Sequence, residues 1–172
     1  MRYFAIMVVW FAVLIGDGIV FPALTGWPSG FGIMVLLSAL AITFGIHRWL
    51  IGLGIILAGL TELILGTYFG IIIGAWLVIT RVWHLLNQFL NLKPMSENDS
   101  LIAFAPATLC GLGLFSLGEG VSWVIIRFAY ESELPATTLI NILRSPAIIS
   151  IVGIELLITL FVFRFIYFSR NA

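Results

Sequence analysis

Residues Leu50 to Leu65 read LIGLGIILAGLTELIL, a run in which Glu62 is the only ionisable side chain. A segment apolar nearly all round has no face to offer water, so it reads as a helix immersed in lipid. Five further apolar segments flank it: Tyr3 to Phe21, Phe31 to Ile46, Tyr68 to Leu86, Leu101 to Ile126 and Ile148 to Phe168. Composition agrees. Of 172 residues, 62% are hydrophobic and 9% charged, against roughly 25% charged in an ordinary soluble protein. A chain this short has too small an interior to hide so much apolar surface. Six spans of about 20 residues use roughly 120 positions and leave loops only. The expectation is an all-α, polytopic integral membrane helix bundle of about six transmembrane helices, forming one domain over residues 1–172.

The second and third segments are short, and the fifth is long enough to tilt. Pro22 and Pro28 bracket a Gly-rich connection, while Asn87 to Ser100 and Tyr130 to Ser145 read as polar loops. The first segment lacks a small-residue cleavage site before Asp17 and reads as a span. With six spans both termini share a side. Cytoplasmic termini place Arg2, Arg48, Arg81, Lys93, Arg164 and Arg170 inside and only Arg127 and Arg144 outside, a usable positive-inside bias.

Glycine patterning predicts the packing. Gly45, Gly52, Gly59 and Gly66 recur at seven-residue intervals, and Gly66, Gly70 and Gly74 at four. Both spacings return to nearly the same helix face and permit close backbone approach. Gly52, Gly59, Gly66, Gly70 and Gly74 are therefore expected at a crowded interface of the third and fourth spans. Gly111, Gly113, Gly118 and Gly120 form a second cluster, without the lysine that a phosphate loop needs.

Four acids interrupt the apolar runs: Asp17, Glu62, Glu119 and Glu155. In the proposed orientation they lie in the outer halves of their spans. Intramembrane acids face the bundle interior, pair, or mark a ligand or partner contact. Arg127, two helical turns beyond Glu119, is the nearest basic candidate by depth. Glu62 is expected to protonate, to accept hydrogen bonds from backbone or Thr67, or to pair with a polar group. On that basis a Gln replacement keeps most of its bonding and Leu removes it.

Other chemistry is poorly supplied. Net charge is zero, so no basic face exists for nucleic acid. Cys110 is the single cysteine, and His47 and His84 form no metal-ligand spacing. No Gly-x-Ser-x-Gly elbow occurs. The reading is non-enzymatic, with no cofactor and no metal.

Glu62-Leu63-Ile64-Leu65-Gly66-Thr67-Tyr68-Phe69-Gly70 resembles the most recognisable stretch of the rod-shape-determining protein MreD family. There an acid followed by Leu ends a Gly-rich span, and two glycines four residues apart precede the next. Gly52, Gly54 and Gly59 are similar to that family's approach. The family usually has Asp where this chain has Glu62, and a Pro-Asp pair that Pro22 and Pro28 do not reproduce. The resemblance implies a scaffold of the cell-shape and peptidoglycan elongation machinery in the bacterial inner membrane. Its implied partners are lipid, an MreC-like protein and the cell-wall synthases. A competing expectation is a substrate-binding membrane subunit of an energy-coupled vitamin or metal importer. Such subunits are also small, Gly-rich and about six-spanning, but no alanine-spaced coupling helix is evident here.

Overall fold

The computed structural model describes residues 2–20, 31–45, 47–67, 69–90, 104–129 and 145–168. These form six helices. α1 (Arg2–Ile15) runs into a π-helical turn (Gly16–Val20), followed by α2 (Phe31–Phe44) and α3 (Arg48–Leu65). α4 (Ile71–Leu90), α5 (Phe104–Ala129) and α6 (Pro146–Phe168) complete the bundle. The expected segments at Pro22 to Pro28, most of the Asn87 to Ser100 loop, and nearly all of Tyr130 to Ser145 lie outside the described residues. So do Lys93, Arg144 and Arg170.

The expectation of six spans is met only in part. Among the described residues four helices are long and apolar enough to cross a bilayer: α3, α4, α5 and α6. The other two are shorter apolar helices. The third segment, expected to be short, gains two residues at its start and reaches 18 residues. α4 continues through Asn87 to Leu90, so the polar loop begins later than expected.

α2 explains how a 14-residue helix is accommodated. Its sequence FGIMVLLSALAITF is apolar on every face, and residues 32–45 are all buried. A helix hydrophobic all round belongs in a core. α2 packs against each of the other five helices. At 1.5 Å per residue it spans only about 21 Å, short of a hydrocarbon layer of about 30 Å. Its neighbours, not lipid, line it. The outer surface carries Phe4, Phe11, Phe89, Leu109, Phe128 and Phe161 exposed, as lipid contact requires.

Close backbone approach does hold the helices together, but mostly at other glycines. A Cβ on Gly54 would lie 2.2 Å from the Trp76 ring, and one on Gly111 would lie 2.3 Å from Leu156. Gly118 sits under Ile79 and Met34, and Gly74 under Ile125. The seven-residue row fares differently: Gly52 faces open space and Gly59 only touches Ile73. Gly66 and Gly70 meet nothing either. They are turn residues, at φ 65° and 95°, where a backbone without Cβ is favoured. The spacing rule missed Gly54 because Trp76, a large flat ring, makes the groove worth filling.

Candidate functional site

Glu62 joins two helices. Its backbone carbonyl accepts the N–H groups of Gly66 and Thr67, which closes α3 with a left-handed glycine. Its carboxylate reaches forward to the start of α4. Oε2 accepts the Gly70 N–H at 2.8 Å, and Oε1 accepts those of Ile72 and, at 3.3 Å, Ile73. The first amides of a helix have no partner within it and carry the positive end of its dipole. A carboxylate answers both needs. Glu62 is 1% exposed, so these amides replace the water it has lost. The Thr67 hydroxyl, expected as a donor, is buried without a partner instead.

Both Glu62 oxygens therefore face N–H donors, which alters the expected effect of Gln. A carboxamide has one acceptor oxygen, and its NH2 would confront a donor on the other side. Gln cannot reproduce the clasp.

Asp17 repeats the arrangement at α2. It sits in the π turn that ends the first helix, and its Oδ2 accepts the Ile33 N–H at 3.3 Å. Glu155 comes to the same place from α6. A Cβ on Gly32 would lie 3.0 Å from Glu155 Oε1 and 3.4 Å from Asp17 Cγ. Glu119, on α5, lies within coulombic range of Asp17, as does Glu155. Asp17 and Glu155 thus meet at the start of the central helix, and Glu62 stands apart at the start of α4.

Arg127 does not join them. It is exposed and its guanidinium stacks over the Trp123 ring at 5.1 Å. Depth alone suggested a pairing with Glu119; the aromatic neighbour one turn back offers the long side chain a cation–π site instead. His47 is exposed ahead of α3, and His84 meets Gln88 on an exposed face. Among the described residues no group of three or more His, Cys, Asp or Glu could hold a metal ion.

Three further contacts had no sequence signal strong enough to single them out. The Trp10 indole donates to the Thr61 hydroxyl at 2.9 Å, and that hydroxyl donates to the Leu57 carbonyl. Trp76 Nε1 donates to the Ile51 carbonyl at 3.1 Å. Trp and Thr inside apolar runs are the clue, since each carries a donor that must be satisfied away from water. Lastly, α1 and α6 leave between them a groove of about 530 Å³, lined by residues including Val8, Ala12, Gly16, Ile154 and Glu155. No protein-family model matches the chain, and searches of characterised proteins and of solved structures found no match.

Proposed function

We propose that the chain is a non-enzymatic membrane scaffold of the bacterial cell-shape and peptidoglycan elongation machinery. In this reading it crosses the inner membrane six times, α1 with its π turn and the sheathed α2 included, with both termini in the cytoplasm. It holds an MreC-like protein and cell-wall synthases in register. The observation that carries the reading is the Glu62 clasp. The most conspicuous acid of the chain, at the position of the resembling stretch, has both oxygens committed to backbone amides of the next helix. It is committed to architecture, which leaves the acid that stands out most in the sequence outside any solute site.

One observation favours the importer-subunit alternative: the carboxylates of Asp17 and Glu155 meet at Gly32, with Glu119 within coulombic range of Asp17. A cationic solute would suit them. Depletion of the chain from its host separates the two. The scaffold reading expects elongated cells to round up with solute uptake unchanged. Unchanged cell width together with loss of uptake of one vitamin or metal would overturn it.

A further inference from the structure

We infer that the groove between α1 and α6 is the seat of a partner's transmembrane helix that carries one basic side chain near mid-membrane. The shape is suited to a helix. On the first helix and its π turn the groove is lined by Ala12 and Gly16, four residues apart, so an incoming backbone can approach closely. The facing α6 wall carries exposed Ile154 and Ile158 beside Glu155. Lipid chains alone would cover such a wall adequately were it wholly apolar.

Glu155 makes the difference. Among the described residues no hydrogen-bond donor meets its carboxylate; Thr159, one turn on, donates to its backbone carbonyl instead. Asp17 lies beside it across Gly32, adding negative charge to the same neighbourhood. The cations whose side chains are described are placed elsewhere: Arg48 is exposed at the start of α3, Arg81 is exposed midway along α4, Arg127 lies over Trp123 and Arg164 over Phe104. Intramembrane acids are costly unless paired or hydrated. Glu155 is nine residues into α6, about 14 Å along the axis, near the middle of a hydrocarbon layer of about 30 Å. Lipid headgroups do not reach that depth, whereas a Lys or Arg in the centre of a helix does. Charge and depth together select the occupant.

This inference goes beyond the scaffold reading, because the groove would take such a helix whatever machinery the partner serves. The test uses the full chain, fluorescently labelled, in phosphatidylcholine vesicles. Energy transfer is measured to synthetic Leu/Ala transmembrane peptides with Lys at the centre, Lys near one end, or Leu throughout. The central-Lys peptide should associate about tenfold more tightly than the all-Leu peptide, and moving the Lys toward the end should abolish the gain. Glu155→Gln should remove the preference while leaving all-Leu binding unchanged, and Ala12→Phe should weaken the central-Lys peptide by obstructing the groove. Equal binding of all three peptides would overturn the inference, leaving the groove a lipid-filled seam. So would a preference that survives Glu155→Gln. Energy transfer between two differently labelled copies, undiminished by excess central-Lys peptide and lost in Ala12→Phe, would overturn it in favour of a second copy of this chain.

Discussion

At the residue scale the decisive chemistry is a carboxylate that accepts on both oxygens. Replacing Glu62 by Gln sets an amide donor against a helix-start donor, and Leu removes acceptance altogether. Leaving a buried donor unsatisfied costs about 1–3 kcal/mol. Thermal unfolding of the purified protein in detergent should therefore rank wild type above Glu62→Gln, and Glu62→Gln above Glu62→Leu. A Gln variant melting with wild type would mean that the clasp does not contribute. The glycines beside it divide by conformation. Gly66 at φ 65° and Gly70 at φ 95° should each lose about 1–2 kcal/mol on change to Ala, the strain of a left-handed L-residue. Gly52, helical and facing open space, should be neutral or gain up to about 1 kcal/mol. Unfolding midpoints for the three Ala variants check the contrast; a destabilised Gly52→Ala with unaffected turn glycines would contradict it.

At the element scale, α3 and α4 are joined twice, by the Glu62 clasp at one end and by Trp76 lying on Gly54 further along. Gly54→Ala places a methyl inside the indole ring and should displace the Trp76 hydrogen bond to Ile51. Overpacking of this kind costs about 1–3 kcal/mol. A shift in Trp fluorescence should accompany the lower midpoint, and the double variant Gly54→Ala, Trp76→Leu should recover part of the loss. No recovery would mean that the ring is not what the methyl strikes. The helices themselves were legible in the sequence, because long apolar runs have few alternatives to lying in lipid. Residues 31–46 were legible as apolar but not as central: composition cannot distinguish a helix sheathed by protein from one sheathed by hydrocarbon. The importance of Glu62 was legible from its setting, since an acid at the end of an apolar run must find partners. Those partners, the amides of Gly70, Ile72 and Ile73, were not. Any residue except proline offers an amide, so a backbone donor leaves no mark on the sequence. Arg127 failed for the opposite reason, because depth says nothing about which way round a helix a side chain points.

At the scale of the whole molecule, the bundle is organised around α2, with Asp17 at its start and Glu155 and Glu119 arriving from α6 and α5. The proposed orientation rests on the positive-inside bias of Arg and Lys in the sequence. Reporter fusions after Leu92 and at the C-terminus should both give cytoplasmic signals, and opposite signals would rule out the six-crossing arrangement. We propose that the bundle works by holding proteins together, its acids serving helix starts and contacts between helices. Native mass spectrometry of the tagged chain, released in mild detergent from its own membranes, tests that claim most directly. Cell-wall assembly proteins should be bound to the chain in fixed ratio, with no small molecule at one equivalent. A vitamin or metal ion retained at one per chain, with no protein partner, would contradict it.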